Sequence, residues 1–164
     1  MAYAVVRLDN MHGTTDGKDL VSLRYNNGTD EAAIQNGSLV SLSELISRDL
    51  WKAVKPTAAQ KAIGKLVLVA TPELMYDEHK HNYNEFTNEV GVNARGYILR
   101  SGDGFSPTAE AFTNGDVPDM TTNKYVQAIA GTTMTRTAVV ADAFAELISI
   151  DIVEGVTYYA LRVL

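Results

Sequence analysis

The sequence predicts a mainly β, β-rich α+β protein: a sandwich or barrel of short antiparallel strands with one short helix near residues 42–52. Three observations lead there. Short runs rich in Val, Ile, Thr and Tyr recur about every ten residues. Asn- and Gly-containing breakers separate them. One segment alone, Leu42 to about Lys52, repeats its apolar residues at helical spacing. At 164 residues the chain buries roughly 70% of its unfolded surface, so residues 1–164 read as a single β-rich domain, with 1–10 as an N-terminal strand or arm.

In chain order, Ala2 to Leu8 alternates weakly and reads as a strand. Asp9 to Asp19 is turn-rich. Leu20 to Tyr25 is a second strand, ended by Asn26-Asn27-Gly28, whose residues accept positive φ. Ser41 and Glu44 match a capping box, with Val40 and Leu45 placed to staple it, and Leu42, Leu45, Ile46 and Leu50 continue at helical spacing. Leu66 to Ala70 reads as a strand buried on both faces. Thr71-Pro72-Glu73 suits the start of a short helix, and Met75 to Asn93 is polar and turn-like. Ala94 to Arg100, Phe105 to Phe112, Tyr125 to Ala130 and Thr132 to Val140 are strand candidates. Ile148, Ile150 and Ile152 alternate with Ser149 and Asp151 as a half-buried strand, joined by a Glu154-Gly155 hairpin to Val156–Leu164. Ala33–Gly37 and Ala111–Gly115 share the form A-φ-x-N-G, read as two hairpins using one favoured turn.

Composition narrows function by exclusion. Cysteine is absent, which removes disulfides, thiolate metal sites and Cys nucleophiles. The net charge of −6 argues against partners met through their phosphates, so nucleic acid is not expected, and no membrane is expected because no window approaches the ~20 apolar residues of a span. The start of the chain lacks the basic and long apolar regions of a signal peptide, which points to cytoplasmic synthesis and retention.

The densest polar cluster is Asp77-Glu78-His79-Lys80-His81. An H-x-H pair suits a metal on a rigid strand, but Lys80 interrupts it and the segment reads as solvated loop. His12 lies in a Gly-flanked turn, and no G-x-S-x-G elbow presents a serine. Gly102-Asp103-Gly104 lacks P-loop spacing, and Asp16-Gly17-Lys18-Asp19 lacks the remaining ligands of a calcium loop. Trp51, the sole tryptophan, reads as core on an amphipathic helix. No catalytic residue, cofactor or metal is therefore assigned. Tyr3, Val5, Tyr158, Tyr159 and Leu161, on the two terminal strands, are the candidates for an assembly interface, because an apolar terminal strand can add to a neighbour's sheet.

Several stretches taken together resemble a group of small structural proteins of tailed bacteriophages: Tyr3–Asn10, Asp16–Leu23, Ala33–Leu42, Leu66–Asp77, and Arg95-Gly96-Tyr97 followed by Gly102–Ser106. The resemblance runs from about residue 3 to residue 110. It implies a non-enzymatic virion component of the head decoration or auxiliary capsid type, assembled in the host cytoplasm, whose partners are the major capsid protein and copies of itself. Two alternatives stay open: a head–tail connector or tail component, and, from another class, a small metal-binding or hydrolytic enzyme using His79 and His81.

Overall fold

The computed structural model of the chain describes residues 2–57, 65–77, 79–129 and 131–164. Its strands are β1 (Val6–Asn10), β2 (Leu20–Tyr25), β3 (Leu39–Ser47), β4 (Leu50–Val54), β5 (Val67–Val69), β6 (Ala94–Ile98), β7 (Gly104–Pro107), β8 (Tyr125–Ala128), β9 (Met134–Thr137), β10 (Ala145–Val153) and β11 (Val156–Val163). A four-residue helix, α1 (His12–Thr15), and several single-turn 3₁₀ segments complete the described regular structure. The mainly β class is therefore the observed one, and it contains both a barrel and an open sheet.

The barrel closes in the order β2-β4-β3-β5-β6. Its pairings are antiparallel except β2 with β4, where Leu23 lies beside Trp51 and Tyr25 beside Ala53 in parallel. A five-stranded barrel is narrow, and Gly96 on β6 shows how narrow. A Cβ there would stand 2.6 Å from both Leu23 Cδ2 and Val67 Cγ1. Leu23, Tyr25, Val40, Ala53, Val67, Val69 and Ala94 belong to the buried cluster that fills the barrel. Burial pushes the Tyr25 phenol above its ordinary value of 10.0.

The second sheet is antiparallel, in the order β1-β7-β11-β10-β8-β9. Phe105, Val126, Met134, Ala145, Leu147, Leu161 and Val163 of this sheet share one buried cluster with Leu39, Leu66, Leu68, Ala70, Tyr97 and Leu99 from the barrel wall and its flanks. That explains why Leu66–Ala70 is apolar at every position. Side chains alternate across a strand, so Val67 and Val69 fill the barrel while Leu66, Leu68 and Ala70 pack in the layer between barrel and sheet.

The helix expected over Leu42–Lys52 is not formed. Residues 39–47 and 50–54 are the two strands of an antiparallel hairpin. The register shifts twice, between Leu42 and Glu44 and between Leu45 and Ser47. Each irregularity breaks the two-residue period, so the apolar positions recur at three- and four-residue intervals and imitate a helix. Glu44 caps nothing. It sits across from Lys52 and accepts a hydrogen bond from its ammonium at 3.0 Å. Residues 71–77 likewise form no helix. The Thr71 N–H donates to Asn36 Oδ1 at 3.0 Å and the Thr71 hydroxyl accepts the Arg95 N–H at 2.9 Å, so both groups a cap would use are committed elsewhere.

The expected strand over Tyr125–Ala130 is β8, with Ala130 outside the described residues. The two A-φ-x-N-G stretches share a left-handed glycine, with φ 78° at Gly37 and 68° at Gly115. They part at the asparagine: Asn36 is buried in a hydrogen-bond network, whereas Asn114 is exposed with φ 55°.

Candidate functional site

The terminal strands are ordered parts of the second sheet, and most of their large side chains are spent inside the chain. Leu161 belongs to the intersheet core. Tyr158 is buried, with the Arg7 guanidinium 5.2 Å from its ring centroid. Tyr159 is half-buried, edge-on to Phe112 at 5.6 Å. Tyr3 and Val5 are half-buried in an arm tied by its backbone, with Tyr3 N–H donating to Asn84 O at 2.7 Å and Val5 N–H to the Thr108 hydroxyl at 3.2 Å. Of the five interface candidates, Tyr158 and Leu161 thus have no face left for a neighbour, because the fold uses them as core.

The apolar surface lies beside them. Ile148, Ile150 and Ile152 on β10 are 45%, 44% and 73% exposed. The alternation legible in the sequence is real, but the isoleucines are exposed rather than half-buried. An irregularity in β10 changes the pairing from Leu147 with Leu161 to Ser149 with Ala160, leaving Ile148 as the extra residue, so that Ile150 lies opposite Tyr159 and Ile152 opposite Thr157, on the face that carries Leu147 and Leu161 but beyond the intersheet core. Beyond this point β10 and β11 continue as a two-stranded ribbon to the Glu154-Gly155 turn, whose φ values of 51° and 81° suit a tight hairpin. The β3–β4 hairpin carries a smaller apolar tip, Leu45 and Ile46, each about half exposed.

His12 proves to be the best-anchored imidazole. Its Nδ1 lies 2.7 Å from Asp103 Oδ1, which also accepts the His12 N–H at 2.7 Å, while Asp103 Oδ2 accepts the Arg100 N–H at 2.7 Å. The Asp103 carboxylate is fully buried, and an ionised group there needs such donors. Arg100 in turn holds Asp19 through Nε at 3.0 Å and a terminal nitrogen at 2.7 Å, which raises its pKa above the ordinary guanidinium value. The network ties α1 and the 3₁₀ turn after it to the β6–β7 turn. An Asp–His pair is two-thirds of a hydrolytic triad. Among the described residues, however, no hydroxyl hydrogen-bonds the His12 ring. The arrangement as it stands is a structural clasp.

His79 and His81 are exposed in the long connection between β5 and β6. Their backbone N–H groups donate to Asp77 Oδ1 at 2.9 Å and Glu85 Oε2 at 2.8 Å. Glu85 also accepts the Asn82 N–H, and these two amides hold its carboxyl below the usual carboxylate value. Glu78 lies outside the described residues. No group of three or more His, Asp and Glu that could hold a metal occurs among the described residues.

Two grooves remain. One of about 500 Å³ runs along the β5–β6 connection beside Leu74, Met75, Tyr76, Phe86 and Val92. Its charges are mixed, and Lys80 already faces Glu89 at 3.8 Å. The other, of about 480 Å³, lies against the barrel between Lys18, Val21, Leu45, Arg48, Trp51 and Arg95.

No family model, curated protein or solved structure matches the chain.

Sequence reasoning missed the His12–Asp103 pair because 91 positions separate its members and Asp103 looks like an ordinary Gly-Asp-Gly turn residue. It also placed Trp51 on a helix. The indole is half-buried on β4, packing against the barrel core on one side and edging the second groove on the other.

Proposed function

We propose that the chain is a non-enzymatic structural protein of a tailed-phage virion that binds the capsid surface and decorates or stabilises the head. The observation that carries a binding role is the pair of hairpins, β3–β4 and β10–β11, which present Leu45, Ile46, Ile148, Ile150 and Ile152 to solvent. A soluble protein keeps clustered apolar surface of this kind where another protein covers it. The assignment to a virion rests on the residue resemblance over the first two-thirds of the chain. In this reading the partners are the major capsid protein and copies of the chain itself, the location is the assembled particle, and nucleic acid is not a partner of so acidic a chain.

The test is binding of purified protein to heads assembled without it, followed by cryo-electron microscopy of the occupied particles. Saturable binding at many symmetry-related head positions is the expected result. Density at a single vertex or along the tail would instead favour the connector or tail reading. Failure to bind particles at all would refute the virion assignment.

A further inference from the structure

We propose that copies of this chain associate head to tail, the β10–β11 ribbon of one copy seating in the Lys18–Arg48–Arg95 groove on the barrel of the next. This contact is a property of the chain alone and stands whether or not the chain binds a capsid.

The ribbon is a docking element by construction. Among the described residues, β8 pairs with β10 only at Ala145 and Glu146, and β7 pairs with β11 only at Leu161 and Arg162. From Ser149 to Thr157 both outer edges therefore have no strand partner, an arrangement that ordinarily invites pairing or aggregation. Ile150 and Ile152 stand on one face, and Val153 pairs across the tip with Val156, both exposed. Between Leu147 and Leu161 the only charged residues are Asp151 and Glu154, both exposed. The ribbon is thus apolar and acidic, with no cation of its own.

The groove is its complement. Val21, Leu45 and Trp51 supply apolar wall, and Lys18, Arg48 and Arg95 face a single acid in the lining, Asp49. All three cations are exposed, and none makes an ion pair among the described residues. The groove along the β5–β6 connection, which shares Arg95, offers no such match, because two acids, Asp77 and Glu89, line it and Lys80 faces Glu89. Ribbon against ribbon is disfavoured as well, since it would bring Asp151 and Glu154 of one copy towards those of the other, and like charges across strands repel. Donor and acceptor are different surfaces, so the contact is heterologous and closes into a ring or runs on as a filament, according to the rotation it imposes.

A mixing experiment on the full chain decides it. Ribbon variant Ile150→Asp/Ile152→Asp and groove variant Arg48→Glu/Arg95→Glu alter exposed positions, and circular dichroism checks that each stays folded. Sedimentation velocity of the wild type should show association that increases with concentration. Each variant alone should be monomeric, with association weaker by roughly tenfold or more. An equimolar mixture should form a one-to-one dimer and nothing larger, because one intact ribbon then meets one intact groove. Trp51, the only tryptophan, should shift its emission to the blue in that dimer. Should the double substitution in the ribbon unfold the chain, Asp151→Lys/Glu154→Lys serves in its place: it should lose association alone and regain it with Arg48→Glu/Arg95→Glu. A wild type that stays monomeric at millimolar concentration overturns the proposal. So does a ribbon variant that dissociates while the groove variant does not, which would assign the contact to paired ribbons.

Discussion

The barrel and the open sheet bury their residues in opposite ways. The barrel is drawn from one stretch of chain, β2 to β6, closes every edge, and is filled from within by its own side chains. The sheet recruits β1 from the start of the chain and β7 to β11 from the rest, and its buried face packs on the outside of the barrel. The barrel's core is therefore private, while the sheet's core is shared. What damages the private core should harm the barrel first, and what damages the shared core should harm both parts at once.

The largest expected effect follows from that sharing. Phe105 on β7 is fully buried in the intersheet core, and Phe105→Ala should cost about 3–5 kcal/mol. Thermal unfolding followed by Trp51 fluorescence, on the barrel, should coincide with unfolding followed by far-ultraviolet circular dichroism. Two separate transitions would mean that the halves are energetically independent. Next comes the private core: Gly96→Ala should cost about 1–3 kcal/mol, since its Cβ would press on Leu23 and Val67 at 2.6 Å. Chemical denaturation measures it, and a neutral result would mean that the barrel is looser than its geometry indicates.

The clasp between the two parts comes third. Asp103→Ala leaves the His12 and Arg100 amides without their carboxylate acceptor, at a cost of about 1–3 kcal/mol. Hydrogen exchange should show α1 losing protection before the barrel strands do, and unchanged protection there would remove the clasp from the account.

A pH effect confined to the sheet side is smaller. Asp119 accepts the Thr122 N–H at 2.6 Å, and the Thr121 hydroxyl and N–H at 2.7 and 2.9 Å. These donors hold its carboxyl far below the ordinary value of 3.8. A depressed folded pKa favours the folded loop when the group is ionised, so this contribution is complete above the ordinary carboxylate range and drains away as pH falls below it. Carboxyl NMR should find Asp119 still ionised at pH values where other aspartates have titrated, and Asp119→Ala should flatten the acid limb of stability against pH. Smallest of all, Glu44→Ala removes an exposed pair with Lys52 and should change stability by no more than about 1 kcal/mol.

The same contrast governs what was legible in the sequence. Where a strand keeps its two-residue period, residues alone locate it: Leu20–Tyr25 is β2 to the residue, and Leu66–Ala70 is buried on both faces as its composition demands. Where irregular register breaks the period, pattern misleads, as in the β3–β4 hairpin that mimics a helix. The Ile148, Ile150, Ile152 alternation located β10 but not its exposure, because the strand runs on past the core and past its flanking strands, an extent that composition does not mark. Of the candidate surfaces, the acidic ribbon could be read as a run without cations. The groove could not: Lys18, Arg48 and Arg95 meet only once β2, β4 and β6 lie side by side.

The position of β11 has a consequence for synthesis. This strand, the last in chain order, lies inside the sheet between β7 and β10 rather than at an edge. On the ribosome the barrel strands emerge early and contiguously, while β1 and β7 still wait for the neighbour that completes their layer. Until β11 emerges, the core around Leu39, Leu66, Leu68 and Leu99 on the barrel's outer wall lacks Leu161 and Val163. The shared core is thus completed last, and until then the barrel strands carry a bare apolar flank, the kind of surface that chaperones bind.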